Sequence, residues 1–320
     1  MFYRFHNLDE REKTQFILDL FLYQSSTNLL YEKFINYLNI DPNSIKNIED
    51  IPFLPVSFYK TNVSKSGQWE EEIIFESSST TGMIPSKHFI RDVDFYLKNT
   101  IHCFSELIGN PEDYCFFALL PSYHDRKGSS LIYMVEHFMK ISGCGKFYNK
   151  DYQSLISDIK SYKGSKKKVL FGVTFALLRL AEMGNLDLSD VMIFETGGMK
   201  GRGKELHRNE VHDILIKSFN VAGVYSEYGM TELLSQAYSD TEAIFRLPST
   251  MRLLISDIYD PFSFLENGKQ GKINIIDLAN IDTCSFLATD DLGVKLDKNR
   301  FKVLGRTDES DVRGCNLLFY

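Results

Sequence analysis

Between residues 114 and 225 the chain repeats one pattern that few folds can satisfy: a short, continuous apolar run, a segment of helical period, then another apolar run. The runs at 114–119, 169–173, 191–195 and 221–225 lack the strict alternation of a strand with one wet face, so they read as strands buried on both sides. Between them, 129–141, 155–159, 175–181 and 204–219 suit crossover helices. Strand and helix in alternation predict an α/β fold with a mostly parallel sheet covered by helices on both faces.

The flanks differ. Phe16, Leu20 and Tyr23, then Leu30, Phe34 and Tyr37, recur at i, i+4, i+7 and predict two amphipathic helices, after which Pro52 and Pro55 mark an extended stretch. A longer helix follows, with Val93, Tyr96, Leu97, Thr100, Ile101, Phe104, Leu107 and Ile108 on one stripe. Beyond Met251, short strands with tight turns at Asn267-Gly268 and Asp291-Leu292-Gly293 predict a smaller β-rich portion. The chain therefore reads as a single domain over 1–320, with a helical lead-in (1–90), an α/β core (91–250) and a β-rich portion (251–320).

Composition narrows the function. With 320 residues, 43% of them hydrophobic and 25% charged, the chain can bury a large core and is not a disordered segment. A net charge of -7 and a pI of about 5.6 exclude a general attraction to nucleic acid or an anionic membrane. No run reaches the roughly 18 apolar residues of a membrane span, and the first residues do not read as an export signal. Cys103, Cys115, Cys144, Cys284 and Cys315 are scattered without metal or redox spacing, which fits a reduced, cytoplasmic compartment. His88, His102, His137, His207 and His212 show no ligand spacing either, so no structural metal is expected.

Four separated segments can carry chemistry. The first is Glu76-Ser77-Ser78-Ser79-Thr80-Thr81-Gly82, followed by Pro85 and Lys87. Hydroxyls and backbone N–H groups in such a loop can wrap a polyphosphate, with a lysine adding charge; the plain alternative is a Ser/Thr-rich linker. The second, Tyr225-Ser226-Glu227-Tyr228-Gly229-Met230-Thr231-Glu232, directly follows a predicted strand, where open parallel sheets bind ligands. There a tyrosine can stack on adenine, Thr231 can reach a phosphate oxygen and Glu232 can hold Mg²⁺; without a partner motif the segment is equally a polar turn. The third and fourth are Thr289-Asp290-Asp291-Leu292-Gly293 and Gly305-Arg306-Thr307-Asp308. Asp291 can accept ribose hydroxyls and Arg306 can offer a planar fork, although each segment alone is an ordinary β-turn.

In this order the segments resemble the adenylate-forming superfamily of acyl-CoA synthetases, luciferases and peptide-synthetase adenylation domains. Within it the chain is most similar to the LuxE-type acyl-protein synthetases, through 51–56, 121–123, 195–202, 228–232 and 313–315. The likeness extends from about Ile51 to the C-terminus; its motifs are specific as a set and weak singly. It implies an adenylate-forming-enzyme-like large domain that uses ATP and Mg²⁺ to turn a carboxylic acid, in this family a fatty acid, into an acyl-adenylate. The acyl group would then pass to a cysteine and onward to a reductase or carrier protein. Carried over by position, Ser77, Ser78, Thr80, Thr81, Gly82 and Lys87 would cradle phosphate, and Gly197 and Gly198 would admit the nucleotide or acyl chain closely. Tyr228, Gly229, Thr231 and Glu232 would serve adenine, phosphate and metal, while Asp291 and Arg306 would hold ribose.

Two departures bear on the chemistry. Ser79 stands where most members of the superfamily have glycine, and Arg306 lies fourteen residues from the end, which leaves no place for the mobile C-terminal domain of many relatives. Cys315, behind Arg313-Gly314, is the expected replacement acyl acceptor, with a buried structural cysteine as the equal alternative. His124, in the loop after Pro121-Ser122-Tyr123, is either an orienting residue or a surface histidine. Two other functions stay open: an acyl- or aryl-CoA ligase completed by a separate chain, and a non-catalytic nucleotide-binding descendant.

Overall fold

The computed structural model describes residues 8–78, 84–121, 128–197 and 206–306. Two helices, α1 (Glu10–Thr27) and α2 (Leu29–Tyr37), open it. A capping box starts α1: Asp9 accepts from the Glu12 N–H and Glu12 accepts from the Asp9 N–H. The buried face of α1 is Ile17, Leu20, Phe21, Gln24 and Ser25, rotated from the predicted Phe16–Leu20–Tyr23 stripe. Tyr37, predicted to face inward on α2, is 86% exposed. Apolar periodicity misplaces the first face because one of its anchors is polar. The Gln24 amide donates to the Asn280 and Ile281 carbonyls, and its oxygen accepts from the Ser285 N–H.

A short strand β1 (Leu54–Pro55), the hairpin β2 (Ile73–Glu76) and β3 (Lys87–Ile90), and helix α3 (Val93–Leu107) follow. Asp92 caps α3 by accepting from the Phe95 N–H, and Tyr96, Thr100, Phe104 and Leu107 of the predicted stripe are buried. The alternating region is β4 (Tyr114–Leu119), α4 (Ser130–Ser142), β5 (Gly145–Phe147), α5 (Tyr152–Ser161), β6 (Lys167–Val173), α6 (Thr174–Ala181), β7 (Val191–Thr196), α7 (Arg208–Phe219) and β8 (Val224–Tyr228). Its strands lie in the order β5-β4-β6-β7-β8 and every pair is parallel.

From β8 the ladder continues antiparallel. Strands β9 (Ala237–Ser239), β10 (Phe245–Arg246), β11 (Met251–Ser256), β12 (Gln270–Asp277), β13 (Phe286–Lys295) and β14 (Arg300–Arg306) complete the order β8-β9-β10-β14-β13-β12-β11, and β1 adds in parallel to β13. The result is one mixed sheet of 12 strands rather than a mostly parallel one, with the β-rich portion extending it. The connections here are mostly short turns, which can only return a strand antiparallel, whereas parallel neighbours need a crossover. Asp290 and Asp291, predicted in a turn, lie inside β13, and Tyr228, predicted just past a strand, is the last residue of β8.

Three apolar clusters hold the layers. The lead-in helices pack with Phe53, Leu54 and Tyr59 on the antiparallel strands, where Phe21 and Tyr31 meet Phe286. Helices α3 and α4 cover one face of the parallel half around Phe104, Phe116, Phe138, Phe171 and Phe194. Helices α5, α6 and α7 cover the other around Leu155, Leu170, Leu177, Ile193 and Leu215. Each large side chain so buried contributes about 1.5–3 kcal/mol relative to exposure, and residues 114–119 are buried without a break as a doubly covered strand requires.

The cysteine reading needs correcting. The register that sets Phe116 beside Gly145 sets the preceding residues side by side, and Cys115 and Cys144 form a disulfide with a Cα–Cα distance of 4.8 Å. The β4-α4-β5 crossover makes neighbours of residues 29 apart in sequence, so a search for close spacing cannot find them. Cysteine usage therefore gives no ground for a reduced compartment. No helix of the described residues is long and apolar enough to cross a membrane.

Candidate active site

The hydroxyl-rich segment departs from a β-hairpin. Glu76 pairs with Lys87 across β2 and β3, and Ser77 and Ser86 close the base: the Ser77 N–H donates to the Ser86 carbonyl (3.0 Å) and the Ser86 N–H to Ser77 Oγ (2.9 Å). Ser78 continues the first arm, while Thr80, Thr81 and Gly82 lie outside the described residues. Lys87 is exposed, with its Nζ 3.8 Å from Glu76 Oε1.

Glu232 reaches this base from the turn after β8. Its carboxyl is 7% exposed and faces Ser86; burial raises its pKa, opposed by the Ser86 hydrogen bond and the charge of Arg306. The turn is fixed on both sides. His88 on β3 bonds the Thr231 carbonyl through Nδ1 (2.8 Å) and Thr283 Oγ1 through Nε2 (3.0 Å). A carbonyl only accepts, so Nδ1 carries a proton, and burial favours the neutral ring. Asn280 donates to the Glu232 carbonyl (2.8 Å), and Asp277, at the end of β12, accepts from the N–H groups of Leu234 and Ser235 and from the Ser235 hydroxyl.

Burial moves His88 down to about 4 from the ordinary 6.5, opposed by its bond to Thr231. The unfolded chain therefore takes up a proton below about 6.5 that the folded chain resists, and stability is lost as pH falls through that window, by on the order of 2–3 kcal/mol. Glu227, discussed below, has the opposite sign, so a comparison isolates the histidine. The destabilisation caused by His88→Gln, measured by urea unfolding, should be larger at pH 7.5 than at pH 4.5. Equal destabilisation at both pH values would show that His88 is not held neutral.

On the far side of the turn, Asp291 and Arg306 face each other across β13 and β14. Arg306 Nε donates to Asp291 Oδ1 and the Tyr228 hydroxyl to Asp291 Oδ2, both at 2.8 Å. Asp291 is buried, whereas the Arg306 side chain is 64% exposed and available to a ligand. The Tyr228 ring is buried edge-on against Phe245 and Phe301. That packing leaves little free face for adenine and turns the hydroxyl to the site instead.

Gly197 follows β7, the strand beside β8. It has φ +73°, a left-handed conformation that favours glycine, and its carbonyl accepts from the Thr174 hydroxyl. Gly198 and Cys315 lie outside the described residues, as does His124. The His88–Thr231 and Tyr228–Asp291 bonds thus join the hairpin whose base carries Ser77 and Lys87, the turn with Gly229, Thr231 and Glu232, and the β13–β14 pair with Asp291 and Arg306, while Gly197 follows the neighbouring strand, β7. Among the described residues no group of three or more His, Cys, Asp or Glu is placed to hold a metal ion.

Two acids of this region, Glu195 and Glu227, lie in segments that the sequence singles out, but residue order gives them no role. Glu195 accepts from Thr174 Oγ1 (2.8 Å), Ser226 Oγ (2.6 Å) and Arg208, with His212 Nε2 at 3.7 Å. Burial would raise its pKa, but Arg208 and these donors hold it below the usual carboxylate value. Glu227, on the neighbouring strand, accepts from Thr196. The available signal was an acid at the end of an otherwise apolar run, as in Val191-Met192-Ile193-Phe194-Glu195.

Neither a protein-family model nor a curated protein sequence matches the chain. Solved structures do. A 2-hydroxyisobutyryl-CoA ligase in complex with 2-HIB-AMP and CoA matches with a TM-score of 0.69 at 15% identity, over 96% of this chain and 71% of that one. ATP-bound MatB from Rhodopseudomonas palustris matches with a TM-score of 0.57 at 15% identity, over 75% of this chain and 49% of its own length. The chain shares their fold. It spans about half of MatB, and the expected α/β architecture of adenylate-forming enzymes, with its β-rich C-terminal part, is present.

Proposed function

We propose that this chain activates a carboxylic acid with ATP, forming an acyl-adenylate and pyrophosphate. The observation that carries the reading is the bond from His88 of the hydroxyl-rich hairpin to the Thr231 carbonyl, which sets Glu232 at the hairpin base beside the Tyr228–Asp291–Arg306 set. The fold is that of ligases captured with ATP and with 2-HIB-AMP, which supports nucleotide binding here. A substrate carboxylate oxygen attacks the α-phosphorus, the bond from that phosphorus to pyrophosphate breaks, and pyrophosphate leaves.

In this reading Ser77, Ser78, Thr80, Thr81, Gly82 and Lys87 hold the departing phosphates, and Gly197 and Gly198 let the chain approach the nucleotide. Asp291 takes the ribose hydroxyls: its two oxygens each receive one protein donor and keep a lone pair for a ligand. Arg306 completes that contact from the rim. Mg²⁺ fits the donor set, because it commonly takes one or two carboxylates and fills the remaining positions with phosphate oxygens and water. Glu232 would hold it, with Ser86 alongside, and the ion would supply charge compensation for the phosphates. The acyl group would then pass to a thiol: Cys315, a carrier protein or reductase, or CoA. Transfer to protein is the LuxE-type outcome, with a fatty acid as that family's substrate; the 2-hydroxyisobutyryl-CoA ligase complex contains CoA.

Exchange of labelled pyrophosphate into ATP, driven by a panel of short, long, aromatic and substituted acids, tests adenylation directly. At least one acid should raise exchange at least tenfold over the acid-free rate. No stimulation by any acid, with ATP binding retained, would favour a non-catalytic nucleotide-binding protein. Trapping with hydroxylamine followed by mass spectrometry of the protein would then locate the acceptor.

A further inference from the structure

Two buried carboxyls stand at the same sheet edge without a part in the adenylation described above. Glu195 and Glu227 lie at the carboxyl ends of the adjacent parallel strands β7 and β8, paired with Ser226 and Thr196 respectively. Side chains alternate along a strand, so the two acids face opposite ways. Glu195 points toward α6 and α7 and is fully engaged by Thr174, Ser226 and the Arg208 guanidinium. Glu227 points to the other face, above Phe194 and Tyr225. Among the described residues it receives one hydroxyl, from Thr196, and no ion pair, although it is only 7% exposed.

A second observation fixes where that carboxyl lies. A Cβ at position 229 would collide with Glu227 Oε1, so the acid sits directly beneath the exposed turn Gly229, three residues before Glu232. Thr196 holds Oε2, and Oε1 lies beneath Gly229. A buried carboxylate without a cation is unfavourable, and the guanidinium nearby is paired with Glu195. Burial, with the nearby charge of Glu195, accordingly moves Glu227 up to about 7. A ligand that brings a donor to this oxygen relieves the deficit; a hydrocarbon tail would seal it in.

Resting on the adenylation reading, we infer that Glu227 is a specificity-determining residue that receives a protonated amine, or failing that a hydroxyl, carried on the tail of the activated acid. The substrate is then a substituted, polar acid and not the plain fatty acid that the family resemblance implies.

The test is pyrophosphate exchange with matched acids of four to eight carbons that differ only in carrying an amino group, a hydroxyl or neither. Wild-type protein should use the best amino acid at least tenfold better in kcat/KM than its unsubstituted counterpart, with the hydroxy acid between. Glu227→Gln, which keeps the shape, should lose most of the preference for the amine, and Glu227→Leu should favour the unsubstituted acid. Circular dichroism and melting temperature report whether each variant folds, and the glutamine variant decides if the leucine variant does not. Equal use of substituted and plain acids by wild type, or an unchanged preference in Glu227→Gln, overturns the inference while leaving adenylation standing. Silence with every acid removes both.

Discussion

Glu232→Gln is expected to lower acid-dependent pyrophosphate exchange by about 10²- to 10³-fold, the usual effect of removing one preorganised electrostatic group from an active site. The substitution keeps shape and volume, and the amide can still bond Ser86. What it removes is the charge that would hold Mg²⁺ against the phosphates. The backbone around it stays pinned, since Asn280 still donates to the carbonyl of residue 232 and His88 still bonds the Thr231 carbonyl. Melting temperature should therefore change little. Because burial raises the pKa of Glu232, wild-type exchange should fall as acid protonates it, at a pH above the ordinary carboxylate range, and the glutamine variant should lack that limb. Unchanged exchange would remove Glu232 from the chemistry, and an unfolded variant would make it structural.

The largest expected loss of stability is at Asp277. Its two oxygens accept from the N–H groups of Leu234 and Ser235 (2.8 and 2.9 Å), the Ser235 hydroxyl (2.7 Å) and the Ala279 N–H (3.0 Å), all buried. Asp277→Ala strips the partner from four donors at once. Each buried donor left unsatisfied costs about 1–3 kcal/mol, although relaxation and entering water recover part of this. A net loss of roughly 4–5 kcal/mol, at the upper end of single substitutions, is expected from urea unfolding. Asp277→Asn retains one accepting oxygen and should lose about half as much. A loss in Asp277→Ala below about 1 kcal/mol would mean that other groups hold the segment after Glu232.

Much of this architecture is visible in residue order. Tyr114–Leu119 can be read as a strand because a doubly covered strand has no polar positions to blur the run, and the crossover helices follow from period alone. Three things could not be read in this way. Gln24 supports the buried face of α1 through hydrogen bonds, a role that apolar periodicity cannot register. Asp291 looks like a turn residue because Asp-Leu-Gly is turn chemistry, yet pairing with Arg306 of β14 keeps it in strand; tertiary context overrode local preference. Cys115 and Cys144 depend on a parallel register that no local spacing encodes. At the site, motif order directed attention to Glu232, Asp291 and Arg306, but Glu195 and Glu227 carry their meaning only through which face of the sheet each one takes, and that requires the register of β7 on β8.

The change of strand direction at β8 also governs how variation can reach the groove. On the parallel side, the segments that join β2 to β3 and follow β7 and β8 in sequence are connections, where insertions and deletions are tolerated. On the antiparallel side, Asp291 and Arg306 pair within strands whose ladders already bulge beside them, and a further residue not absorbed by a bulge would flip every later side chain to the opposite surface. Homologous chains should accordingly differ in loop length along one wall, and along the other only in which residue occupies each place.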